Sequence, residues 1–270
     1  MLLMLPLTPF IYFPSTEYNY ELNFLLILQK TKSMLDNIDI HKILFLDIET
    51  VPAFPSYDKV PDRFKKLWTK KSKFLIKEEE DTAESIYPRA GIYAEFGKIV
   101  CISVAFFNKE QLRIKSFYGD DEKILLDEFA SLLNLHFNRS DHLLCGHNAK
   151  EFDFPYIARR MLINKLKLPT ILNMAGKKPW EIRHLDTMEL WKFGDFKNYT
   201  SLDLLTAIFN IPTPKDDIDG SEVWRVYWKE NDLERIKTYC EKDTIAVVQI
   251  FLSYLGKDLL DDSHITIANN

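Results

Sequence analysis

Apolar and polar positions alternate along the chain in two periods, and the changes of period mark its elements. The stretch KILFLDIETVP at 42–52 is almost unbroken apolar sequence up to Ile48, which predicts a buried strand over about 42–49. FKKLWTKKSKFLIKEEEDTAESIY comes next, with Phe64, Leu67, Trp68, Phe74 and Leu75 at near-helical spacing among many charges, the pattern of a helical insertion. KIVCISVAFFNKEQLRIKSFY contains two β-rich runs either side of the polar Asn108-Lys109-Glu110 and predicts an antiparallel hairpin. DDEKILLDEFASLLNLHF has acids in its first turn and apolar Leu125, Phe129, Leu132 and Leu133, which defines an amphipathic helix.

HLLCGHN is a short buried strand ending at Gly146, and FPYIARRMLINKL is a helix with Pro155 in its first turn. IRHLDTMEL supplies a further strand and turn, a helix begins near SLDLLTAIF, and the polar loop PTPKDDIDGSE follows. The long helix predicted over 233–255 has Asp232 as its N-cap. This order of strand, hairpin, helix, strand, helix, strand, helix predicts an α/β fold, a mixed sheet with helices on its faces and a helical insertion after the first strand.

A chain of 270 residues, 46% hydrophobic, can bury one full core. The expected layout is an N-terminal extension over 1–40 outside the fold, one domain over 41–256 and a C-terminal tail over 257–270. Met34 stands just ahead of the first strand, so residues 1–33 are expected to be an upstream extension from an early start codon. The N-terminal run is apolar, but it lacks a basic leader region, a small-residue cleavage site and the roughly 18 unbroken apolar residues of a spanning helix, so neither a signal nor a membrane anchor is expected. The net charge of -5 argues against coating nucleic acid by bulk positive charge and leaves a local basic groove open. Cys101, Cys145 and Cys240 form no CxxC pair, which argues against a disulfide framework or a zinc ribbon and for a reducing compartment, the cytoplasm.

The chemistry gathers in three places. Side chains alternate across a strand, so Asp47 and Glu49 share one face about 7 Å apart. Two carboxylates that close repel and favour a hard divalent cation between them; the alternative is a pair of solvated acids ending a strand. In CGHNAKEFDFPY a buried strand leads into His147-Asn148 and then Asp153 at a helix start, where it is either a capping acid or a member of the same site. Phe152 and Phe154 beside it are either core or a face for a terminal base. Tyr239 and Asp243 stand four apart on one helical face. Tyr199/Asp203 and Tyr254/Asp258 repeat that spacing, but 239/243 lies mid-helix beside an apolar stripe, where an acid without a partner is costly.

The ordered set LDIET, HNAKEFD and YCEKD resembles the DEDD superfamily of 3′-5′ exonucleases, which have a ribonuclease H-like fold. More narrowly, RAGIYAEFGKIVCISV, IRHLDTMELW and SLDLLTAIFNIP resemble the predicted exonucleases related to the proofreading domain of family B DNA polymerases, over roughly 42–255. Thr238 occupies the position where the histidine subclass carries its base, so the tyrosine subclass is implied. The resemblance implies that Asp47, Glu49, Asp153 and Asp243 hold two Mg²⁺ or Mn²⁺ ions, with Asp47 bridging, and that Tyr239 orients the attacking water. It further implies that Asn148 hydrogen-bonds the terminal nucleotide and that Thr50, with the backbone near Val51, contacts the 3′ sugar. Phe152 then offers a stacking face. Asp186 is read as a turn or capping acid, and His147 and His184 as structural, since hard ions prefer oxygen.

The implied substrate is nucleic acid with a free 3′ end, single-stranded DNA ahead of RNA, with a polymerase or repair partner in trans and no membrane partner. An exoribonuclease and a silent nucleic-acid-binding module are the competing readings. Lys65, Lys66, Lys70, Lys71, Lys73, Arg159 and Arg160 either line a strand-binding groove, with Trp68 stacking on a base, or form a solvated face.

Overall fold

The computed structural model describes residues 34–195, 197–212 and 218–268. The chain divides into two compact units, Met1–Ile38 and Asp39–Asn270. The described part of the first contains a 3-10 turn, Met34–Asn37, and the extension expected over 1–33 lies outside the described residues.

The second unit is built on a mixed sheet of six described strands in the order β5-β4-β1-β2-β3-β6. They are β1 (Ile43–Pro52), β2 (Gly97–Asn108), β3 (Gln111–Tyr118), β4 (Leu143–Gly146), β5 (Leu185–Asp186) and β6 (Ile265–Ile267). β1, β2 and β3 run antiparallel, whereas β4 joins β1, β5 joins β4 and β6 joins β3 in parallel. The helices are α1 (Asp62–Ser72), α2 (Glu122–His136), α3 (Asp153–Ile163), α4 (Thr187–Lys192), α5 (Leu202–Ile208) and α6 (Leu233–Tyr254). The α/β class, the hairpin and the helical insertion after the first strand all form as the apolar pattern requires. Lys109, at φ 56°, makes the hairpin turn that closes Asn108 onto Gln111.

Alternate residues of β1 face two different layers. Leu44, Leu46 and Ile48 pack with Phe129 of α2 and Phe154 of α3. On the opposite face Phe45 meets Phe251 of α6 with ring centroids 5.5 Å apart, and Val51 packs with Ile236 and Cys240 of α6. Each such buried aliphatic or aromatic side chain contributes about 1.5–3 kcal/mol. Asp47 and Glu49 belong to the α6 rank, between Phe45 and Val51. Asp232 caps α6 by accepting the Arg235 N–H at 3.1 Å, as the sequence predicts. A buried chain of Ser103, Ser116 and Glu241, with links of 2.8 and 2.7 Å, ties α6 to β2 and β3.

Three expectations change. The segment after Gly256, read as a tail, returns to the sheet: Ile265, Thr266 and Ile267 pair with Leu112, Arg113 and Ile114. The β3 edge offers unpaired backbone groups, and a β-branched run of three satisfies them. Trp68 is no base-stacking residue: it is fully buried among Tyr87, Tyr93 and Phe96, and its indole N–H donates to the Ala83 carbonyl at 2.6 Å. Arg160 does not line a groove, because it is buried in an ion pair with Glu122, whose carboxylate also accepts the Ile99 N–H. Arg159 stays exposed.

Candidate active site

Three elements bring their acids together. β1 places Asp47 and Glu49 on the face covered by α6, and the Cys240 thiol donates to the Asp47 carboxylate at 3.5 Å and to its carbonyl at 3.4 Å. One ligand atom from each of Asp47, Glu49 and Cys240 lies within 4.8 Å of the others. Just past Glu49 the β1–β2 register slips, so that Glu49 pairs with Cys101 but Thr50 with Ile99. Such a bulge turns the strand locally and aims the residues around it outward. Asp47, Glu49, Thr50, Phe152 and Asp243 line one cleft of about 500 Å³. Arg89, Ile92, Ser221 and Trp224 line the same cleft.

Asp153 is the first residue of α3, buried at 4% exposure, and it takes backbone hydrogen bonds at its own amide and at Ile48. α3 begins there because the preceding turn is fixed from below. Asn148 adopts φ 59°, and Asp186 accepts the Asn148 and Lys150 N–H groups at 3.0 Å each while also capping α4 through Met188 and Glu189. Asp186 is thus the turn and capping acid the sequence suggested. Gly146 sits under this turn, where an added Cβ would come within 3.0 Å of the Leu46 carbonyl.

The electrostatics of Asp47, Glu49 and Asp153 follow chiefly from desolvation. The Asp47 carboxyl is pushed well above its ordinary range, first by desolvation and then by the charges of Asp153 and Asp243. Glu49 rises likewise, through desolvation and then the charges of Asp47 and Asp243. Asp153 is pushed up to about 8, chiefly by desolvation, with Asp186 adding to it. The Tyr239 hydroxyl is hydrogen-bonded to Asp243 and pushed far up, by desolvation and then by the charges of Asp243, Glu49 and Asp47. β1, α3 and α6 thus bring Asp47, Glu49, Asp153, Tyr239 and Asp243 within electrostatic reach of one another. Oxygen donors that raise one another's proton affinity fit the chemistry of a hard divalent cation, and Asp47, Glu49, Asp153 and Asp243 could hold one.

The remaining sequence candidates separate. Thr50 and Phe152 face the cleft, and Phe152 packs on Tyr156 at 5.3 Å between ring centroids. The Asn148 Oδ1 is buried and has no hydrogen-bond partner among the described residues. His147 bonds Thr187 and the Thr200 carbonyl, and His184 bonds the Leu144 N–H and the Ile171 carbonyl, so both hold loops together. Tyr254 stacks on Trp191 and donates to the Thr187 carbonyl. Cys240, which bonds Asp47, and Arg89 and Trp224, which line the cleft, are residues that sequence reasoning passed over. Cys240 is adjacent to Tyr239 and was readable only as part of the apolar stripe, while Arg89 and Trp224 arrive on irregular turns with no periodicity to mark them.

Residues 92–265 match the model of a family described as predicted 3′-5′ exonucleases related to the exonuclease domain of PolB. The matched span contains Asp153, Tyr239 and Asp243, and Asp47 and Glu49 precede it. Among solved structures, the chain is similar to the family B DNA polymerase from the hyperthermophilic archaeon Pyrobaculum calidifontis at 15% identity and a TM-score of 0.43. That similarity covers 79% of this chain and 25% of the polymerase, so the chain spans about a quarter of that protein's length.

Proposed function

Since the chain belongs to the family of predicted 3′-5′ exonucleases related to the exonuclease domain of PolB, we propose that it is a metal-dependent hydrolase that removes nucleotides from the 3′ end of single-stranded DNA. The observation that carries this reading is the meeting of Asp47 and Glu49 from β1 with Asp153 from α3 and Asp243 from α6, close enough that the charges of Asp153 and Asp243 raise the proton affinity of Asp47, and those of Asp47, Asp243 and Asp153 that of Glu49. Nothing in packing requires that concentration of charge, and water would hold separate acids at lower cost.

Asp47, Glu49, Asp153 and Asp243 would hold two Mg²⁺ or Mn²⁺ ions. When bound, such ions activate water and stabilise the charge on the attacking and leaving oxygens. The protein's own groups set the rest. Tyr239, hydrogen-bonded to Asp243, stays neutral because desolvation and then the charges of Asp243, Glu49 and Asp47 oppose its ionisation. It is therefore unsuited as a base, but its hydroxyl oxygen can accept a hydrogen bond from water and orient it. The water oxygen forms the new bond to phosphorus, the bond to the O3′ of the preceding nucleotide breaks, and that oxygen takes a proton. The products are a 5′-nucleotide and a strand shortened by one residue. Phe152 offers its ring to the terminal base, and Thr50 its hydroxyl to the 3′ sugar.

A 5′-labelled oligonucleotide, as DNA and as RNA, tests the reading with Mg²⁺, Mn²⁺ or EDTA, on wild type and Asp47→Ala. The expected result is stepwise shortening of DNA that stops with EDTA and with the substitution. Activity that survives both would end the proposal, and a preference for RNA would redirect it to an exoribonuclease.

A further inference from the structure

The proposed reaction needs a polyanion to enter a cleft that already holds three acids, Asp47, Glu49 and Asp243, in a protein of net charge -5. Among the described residues lining that cleft, Arg89 is the single cationic side chain. It projects from the turn Tyr87–Ile92, which is firmly seated: Tyr87, Ala90 and Gly91 are buried, Tyr87 packs on Trp68 at 5.8 Å, and the Gly91 carbonyl accepts the Tyr156 hydroxyl at 2.6 Å. Arg89 itself is exposed, with one long hydrogen bond, 3.4 Å, from Nη1 to the Leu75 carbonyl. A guanidinium has five N–H donors, so most of its capacity faces the cleft and solvent. Two cations on the neighbouring elements are committed elsewhere. Arg225 is paired with Glu222 and Glu230, and Lys98 is bonded to the Tyr227 hydroxyl at 2.7 Å.

The second feature is Trp224. It is half-buried on the helical turn Val223–Arg225, whose neighbour Val223 is fully buried and fixes it. Its ring lines the same cleft as Phe152. An indole on a cleft that also carries a guanidinium and a metal-binding acid cluster has the composition of a single-strand grip: one phosphate contact and one stacking platform.

We infer that Arg89 holds the phosphodiester next to the scissile one and that Trp224 stacks on a base of the same single-stranded 3′ end. The inference rests on the nuclease reading of the acid cluster and extends it to substrate class: a short unpaired end, gripped through one phosphate beyond the reacting one. A cleft of about 500 Å³ with one cation accommodates an end and not a long tract. Longer strands gain little affinity, and the salt dependence of binding is shallow, about 0.7 in the log–log slope for this contact.

The test pairs the protein change with a substrate change. A DNA oligonucleotide is made with its one phosphodiester adjacent to the scissile linkage replaced by an uncharged methylphosphonate, and kcat/KM is measured on wild type, Arg89→Ala, Arg89→Lys and Trp224→Ala. The neutral linkage is expected to cost wild type about tenfold, and Arg89→Ala about tenfold on normal DNA. Combined, they should cost little more than either alone, since both remove one contact. Arg89→Lys should restore most of the loss and the salt slope. Trp224→Ala should lose about tenfold with the salt slope unchanged, and should respond to the neutral linkage as wild type does. Multiplicative losses from Arg89→Ala and the neutral linkage would overturn the inference, as would an unaltered salt slope in Arg89→Ala. Failure of the nuclease reading is distinct: wild type would then cleave neither this oligonucleotide nor thymidine 5′-p-nitrophenyl phosphate, which has only the scissile phosphate.

Discussion

Replacing Asp153 with Asn should stabilise the metal-free protein while disabling the proposed cation site. The carboxyl is 4% exposed and pushed up to about 8 from an ordinary value of 3.8, chiefly by burial. A folded-state value above the unfolded one means that folding takes up a proton. The stability tied to that proton is fully present below about pH 4 and is lost as pH rises toward 8. At pH 7 the folded chain keeps the proton and the unfolded chain does not, a gap of roughly three pH units, or at most about 4 kcal/mol. The charge of Asp153 also raises Asp47 and Glu49, so these groups titrate together and about 2 kcal/mol is the expected share of Asp153 alone. Asn keeps the shape and a carbonyl oxygen for the Ile48 amide but has no charge to suppress. In EDTA at pH 7.5, Asp153→Asn should therefore exceed wild type by about 2 kcal/mol, a rise in Tm of about 4–8 °C, and the two should converge near pH 4. Mn²⁺ should reverse the order, because wild type gains about 2.7 kcal/mol at 100 times Kd and the variant gains little. Scanning calorimetry across pH 4–8, with EDTA and then with Mn²⁺, measures both effects. A variant less stable than wild type in EDTA at pH 7.5, or a difference that does not change with pH, would refute the reasoning.

Two other substitutions separate chemistry from scaffold. Tyr239→Phe removes the hydroxyl that bonds Asp243 and should lower kcat on the labelled oligonucleotide about 10²-fold while leaving Mn²⁺ stabilisation intact; an unchanged kcat would remove Tyr239 from the mechanism. Gly97→Ala would press a methyl against the Tyr156 hydroxyl and bring it within 2.7 Å of the Gly91 carbonyl and 2.9 Å of the Val51 carbonyl. Backbone atoms there cannot yield as a side-chain tip would, so a loss of about 2–3 kcal/mol in urea unfolding is expected; wild-type stability would show that the β1–β2 bulge region relaxes freely.

Local geometry made the individual parts of the site legible in the sequence. A strand's period of two puts Asp47 and Glu49 on one face, and a helix's period puts Tyr239 and Asp243 on another, whatever surrounds them. Asp232 was readable as the cap of α6 for the same reason, since a cap acts on amides two or three residues away. Periodicity also gave the hairpin, α2 and α3. Where the pattern was too short, it gave less: Ile265–Ile267 is three residues long and became a strand only because β3 had an open edge.

The sequence by itself could state that Trp68 and Arg160 were an aromatic and a cation near the fold, but not which way they faced. Packing of α1 against Tyr87, Tyr93 and Phe96 buried the first, and Glu122 across the molecule claimed the second. Arg89 and Trp224 met the opposite fate, carried to the cleft wall by turns whose course depends on what they pack against. Chain order and composition thus determined the main elements, the fold class and which acids share a local face, because these are set by interactions over a few residues. The meeting of β1, α3 and α6 at one point, with the charge it concentrates, was decided only by the tertiary structure, since desolvation and repulsion between distant groups arise once a common core has brought them together.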